Sequence, residues 1–86
     1  QPKLVWPASY VVARAYLDQL VRDKGIASER SSAIARDLDR AEKLKGASER
    51  TALTQLATRL DRDASTASDP TRVQLLAATV RDLAKR

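Results

Sequence analysis

Leu53, Leu56, Ala57, Leu60 and Ala64 step by 3, 1, 3 and 4 along the chain. A helix brings such positions onto one face, because its 3.6-residue turn returns a side chain to the same side every three or four residues. The period recurs in three further stretches. Tyr10, Ala13, Leu17, Leu20 and Val21 form one stripe, widened by Val12 and Tyr16. Ile34, Leu38, Ala41 and Lys45 form a thinner one, flanked by Ala33, Asp37 and Leu44, which places that helix at the edge of the assembly. Val73, Leu76, Ala77, Val80, Leu83 and Ala84 form the last. A helix with one apolar stripe must bury it against a neighbour. Four such stretches in 86 residues therefore predict an all-α chain whose helices cover one another.

The punctuation agrees with that division. Pro7 fits the first position of a helix, where its missing N–H costs nothing, and Val5 and Tyr10 have the spacing of a hydrophobic staple. Gly25, after Lys24, is suited to a left-handed residue that ends the first helix. Ser28 is a candidate N-cap for the second, which stops before Gly46, and the third starts near Ser48. The echo Ala27-Ser28-Glu29-Arg30 and Ala47-Ser48-Glu49-Arg50 reads as one cap chemistry used twice, glycine ending a helix and serine starting the next. The periodicity fades across Ser65–Ser68. Asp69 and Pro70 then pair an N-cap acceptor with a first helical residue. Helices are predicted near 7–24, 28–45, 48–64 and 70–85. The short connections at Gly25 and Gly46 favour antiparallel neighbours. The expected architecture is a compact, mostly antiparallel bundle of four helices with a short extended N-terminal segment: residues 1–6 as a linker and 7–86 as one helical-bundle domain. The expected core is Tyr10, Leu17, Leu20, Ile34, Leu38, Leu53, Leu56, Leu60, Val73, Leu76, Val80 and Leu83.

A chain of this length buries one modest core and encloses no chemistry of any size. It contains neither Cys nor His, so disulfides and Cys or His metal sites are excluded, and no cofactor is expected. Apolar runs fall far short of the roughly 20 residues a membrane span needs. The start at Gln1, without Met or a recognisable leader, reads as a fragment or a processed segment. Nucleophilic catalysis needs a base beside the nucleophile, most often His, and none is present. The carboxylate pairs Asp37/Asp39 and Asp61/Asp63 sit at i,i+2 on helices, which turns their members to different sides. Asp61, Asp63 and Ser65 imitate the first ligands of a calcium loop, but Thr66 stands where that loop needs Gly and Arg72 where it needs Glu. No catalytic, cofactor-binding or metal-binding residue is assigned, and the chain is not expected to be an enzyme.

Contacts with partners are the remaining class. Sixteen basic and eleven acidic residues give a net charge of +5, mostly interleaved. Arg36, Arg40 and Lys43 on the second helix, and Arg81, Lys85 and Arg86 at the end, are candidate anion contacts; their default role is a solvated surface. Trp6, at the junction of linker and bundle, and Leu75, off the stripe of the fourth helix, are candidate partner contacts. From Gly25-Ile26 through Leu38 and Ala41, Leu53, Leu56 and Leu60, to Val73, Leu76 and Leu83, the apolar spacing resembles the FIMAH-type helical modules at the C-termini of secreted bacterial polysaccharide-degrading enzymes. That resemblance covers about 60 residues and implies a non-catalytic appendage of an extracytoplasmic protein, while transferring no functional residue. The expected function is a non-enzymatic helical interaction module, either a C-terminal appendage of a larger bacterial protein or a small docked subunit, whose partner is another protein or a preceding domain. The alternatives are a basic nucleic-acid-binding helical protein and a self-assembling, homo-oligomeric structural bundle.

Overall fold

The computed structural model describes residues 9–85, an all-α bundle of four helices: α1 (Tyr10–Arg22), α2 (Ser28–Lys43), α3 (Ala47–Ala64) and α4 (Pro70–Ala84). The expected linker of residues 1–6 lies outside the described residues. Each helix packs backbone to backbone on two others, in the ring order α1, α2, α3, α4 and back to α1; across the diagonal, Tyr10 at the start of α1 reaches Glu49 of α3 through its hydroxyl. The ends meet in antiparallel fashion. The start of α1 stands beside Leu83 at the end of α4, and Asp23 at the close of α1 reaches Arg72 in the first turn of α4. The most extensive seam is α3 on α4, where the small side chains Ala57, Ala64 and Ala77 are buried. Small residues let two helix backbones approach closely.

Leu20, Ile34, Leu38, Leu53, Leu56, Leu60, Val73, Leu76 and Val80 are fully enclosed, and Leu17 and Leu83 nearly so. Ala13, Ala41 and Ile26 complete the interior. Two apolar positions depart from expectation. Tyr10 is only half-buried, at the rim, because its hydroxyl reaches out to Glu49. Val21 is exposed, since α1 meets α2 and α4 and neither covers that side of its last turn.

Several helix ends also differ from the sequence reading. α1 begins at Tyr10 rather than Pro7, with the Ser9 hydroxyl accepting from the Val12 amide at 3.2 Å. At its other end the left-handed residue is Lys24 (φ +53), not Gly25. The Lys24 amide donates to the Val21 carbonyl and the Gly25 amide to the Leu20 carbonyl, the paired bonds of a Schellman ending. Gly25 is needed for space: a Cβ there would lie 2.9 Å from both the Asp69 Cβ and the Leu20 Cδ2. Neither Ser28 nor Ser48 is a cap. Ala27 and Gly46 hold the N-cap positions of α2 and α3 with no side-chain bond, so the repeated Ala-Ser-Glu-Arg does not repeat one cap chemistry. α2 stops at Lys43, because Leu44 is extended, and Gly46 takes φ +66 before α3. The last start is as read: Asp69 accepts from the Arg72 amide and Pro70 opens α4.

Two substitutions test the backbone account by urea denaturation. A left-handed conformation costs a non-glycine residue about 1–2 kcal/mol, partly offset by the extra chain entropy of glycine, so Lys24→Gly is expected to stabilise the protein by about 0.5–1 kcal/mol. Gly46→Ala is expected to destabilise it by about 1–3 kcal/mol. No atom stands within 4 Å of a Cβ at Gly46, so that loss is backbone strain alone.

Candidate interaction surfaces

α1 carries more apolar surface than its two neighbours use. Leu17, Leu20 and Ala13 face inward, while Val11 stays 77% exposed. Val11 and Ala15 are one turn apart, as are Val12 and Tyr16, and with Gln19 these residues line a shallow apolar groove along the outside of the helix. Tyr16, Gln19 and Asp23 share one side of α1, just as Arg72, Leu75 and Thr79 share one side of α4. The Asp23–Arg72 ion pair, at 3.1 Å, joins those two sides. Leu75, 46% exposed, therefore stands on the α4 flank of the same face. Leu75 was expected as a contact; Val11 was not, although its spacing to Ala15 in the sequence already placed the two together. Trp6 lies outside the described residues.

Beside this face a polar latch holds the start of α1. The Tyr10 hydroxyl donates to Glu49 Oε2 on α3 at 2.6 Å, and the Arg14 guanidinium sits 5.8 Å from the Tyr10 ring centre, in cation–π range. Arg14 in turn bridges Asp39 at 2.8 Å and Glu42 at 2.7 Å on α2. Burial, then the bond to Glu49, then the charges of Glu49 and Glu42 push the Tyr10 phenol well above its ordinary value of 10.0, with Arg14 opposing.

The expected anion contacts divide. Arg36, Lys43 and Lys85 are exposed, and no carboxylate among the described residues lies within ion-pair distance of them. Arg40 donates to Asp37 at 2.8 Å, and Asp37 also accepts from Arg59 of α3 at 2.9 Å. Arg81 is held by Asp61, whose carboxyl its hydrogen bonds keep below the ordinary range. Arg86 lies outside the described residues. Arg59 and Arg62, absent from the expected set, extend the α2 cations onto α3. The carboxylate pairs are split between helices: Asp37 turns to Arg40 and Arg59 while Asp39 turns to Arg14, and Asp61 turns to Arg81 while Asp63 turns to Arg30. No helix among the described residues is long and apolar enough to cross a membrane.

The latch has a pH signature. A phenol whose folded pKa is raised contributes stability that is complete below its unfolded pKa and is lost as pH rises through the folded value. The phenolate absorbance of the native protein, minus that of Tyr10→Phe, is expected to titrate well above pH 10.0, and Glu49→Gln should move it back toward that value.

No protein-family model, curated protein or solved structure matches the chain, so its function rests on this geometry.

Proposed function

We propose that the chain is a non-enzymatic helical interaction module, docked on a protein partner through the outer face of α1 and its α4 flank. The observation that carries this reading is the groove of Val11, Val12, Ala15 and Tyr16, with Leu75 beside it. Apolar area left in water forgoes about 25 cal/mol per Å², and grouped aliphatic and aromatic side chains on one face form the apolar centre of an interface rather than scattered surface residues. The complementary surface is an apolar ridge, such as the stripe of a partner helix, laid along α1. The separation of the carboxylate pairs toward different helices supports the non-enzymatic half of the reading. The FIMAH-type resemblance supports the same class, an appendage that recruits rather than reacts.

A photo-crosslinking residue at position 11 or 75, introduced in the organism that makes the protein, is expected to trap one defined protein adduct, while the same residue at position 85 traps none. Val11→Asp should abolish the adduct from position 75 and leave the helical circular dichroism unchanged. A protein that stays adduct-free from positions 11 and 75, or that turns over a substrate alone, overturns the reading.

A further inference from the structure

The opposite side of the bundle has a different character. Because α1 and α4 adjoin, and α2 and α3 adjoin, the outer surfaces of these two pairs face away from each other. On α2, Arg36, Arg40 and Lys43 recur at i, i+4 and i+7, on the side away from buried Ile34, Leu38 and Ala41. On α3, Arg59 and Arg62 are one turn apart and also exposed. Asp37 brings the two rows together by accepting from both Arg40 and Arg59, at 2.8 and 2.9 Å. Asp39, one turn from both Arg36 and Lys43, pairs with Arg14 instead. Asp39 and Glu42 of α2 are drawn to Arg14, Asp63 of α3 to Arg30, and Asp61 to Arg81.

The same face lacks what other partners need. The large exposed hydrophobic side chains among the described residues, Val11, Val21 and Leu75, belong to α1 and α4. A protein interface is built around an apolar centre, and this face offers none. Both described tyrosines are on α1, so the described residues of this face offer no aromatic platform on which single-stranded bases could stack. The groove between the two rows is floored instead by small and polar side chains, Ala52, Ser48, Thr51 and Gln55.

We infer that the α2–α3 face binds the phosphodiester backbone of duplex nucleic acid, independently of sequence, with Arg36, Arg40, Lys43, Arg59 and Arg62 as its phosphate contacts. Planar guanidinium forks suit phosphate oxygens, and two cation rows on neighbouring helices can follow a line of phosphates without reading bases. The inference is independent of the docking face on α1, since the two share no residue.

The test is a titration of the whole chain with a duplex of arbitrary sequence across a series of salt concentrations. Neutralising four or five phosphates predicts a log–log salt slope of about −4. Arg36→Gln, Lys43→Gln and Arg62→Gln remove exposed charges with no ion-pair partner among the described residues. Combined, they should flatten the slope to about −2 and weaken low-salt binding on the order of 100-fold or more. Arg36→Lys with Arg62→Lys should keep the slope, as should Lys85→Gln. No duplex binding at low salt overturns the inference, as does a triple variant with an unchanged slope. So does tighter binding to polyglutamate or to anionic-lipid vesicles than to the duplex.

Discussion

The ring of helices is closed by a backbone contact between residues far apart in the chain. The Asp69 amide donates to the Gly25 carbonyl at 3.0 Å, where the turn out of α1 passes the start of α4. Asp69 also caps α4 through the Arg72 amide, and the Arg72 guanidinium reaches back to Asp23. One corner thus satisfies the first amides of α4, ends α1 and fixes the seam between them. The other seams join helices that follow one another through short connections. The α1–α4 seam is the exception, and without it the helices would form an open row. Closing a long loop costs only about 0.6 kcal/mol more for each doubling of its length. The apolar area buried along that seam readily offsets such a cost.

The polar layer around the core is arranged by the same ring. Every seam carries at least one arginine–carboxylate pair: Arg14 to Asp39 and Glu42, Arg30 to Asp63, Arg59 to Asp37, Arg81 to Asp61, and Arg72 to Asp23. Exposed pairs of this kind contribute at most about 1 kcal/mol each, so they do not hold the bundle together. Arg30 with Asp63 is the best formed, two parallel bonds of 2.9 and 3.0 Å to a carboxylate only 15% exposed. Their larger effect is on where charge ends up. The pairs at the seams engage Asp39, Glu42, Asp63 and Asp61, while Arg36, Lys43 and Arg62 have no ion-pair partner among the described residues.

The parts of the fold visible in the sequence are those set by local physics. The 3, 1, 3, 4 spacing from Leu53 to Ala64 places that helix and its buried side, and Asp69-Pro70 starts α4, because neither depends on distant residues. What was not visible depends on neighbours. The smallness of Gly25 answers to Asp69, far along the chain, so its local context suggested a left-handed ending that Lys24 supplies instead. Ser28 and Ser48 looked like caps, but the chain enters α2 and α3 one or two residues earlier, at Ala27 and Gly46. In α1, apolar residues occur on several sides of the helix. Periodicity alone could not say that Val21 and Val11 would be left exposed while Ala13 was covered. Arg81 and Lys85 looked alike in the sequence; only the α3–α4 seam, which brings Asp61 to Arg81, separates them.

The interior of the ring is filled with leucine, isoleucine, valine and alanine. Each helix packs mainly on two neighbours and presents its remaining side outward. On the readings proposed above, the two opposite faces use forces that respond differently to their surroundings. Burial of Val11, Tyr16 and Leu75 is insensitive to moderate salt and is strengthened by excluded salts such as sulfate. Attraction of a polyanion to Arg36, Lys43 and Arg62 falls steeply as salt rises, because its driving force is the release of condensed counterions. On those readings a rise in salt would release the polyanion and leave the protein contact in place, because no side chain is common to the two.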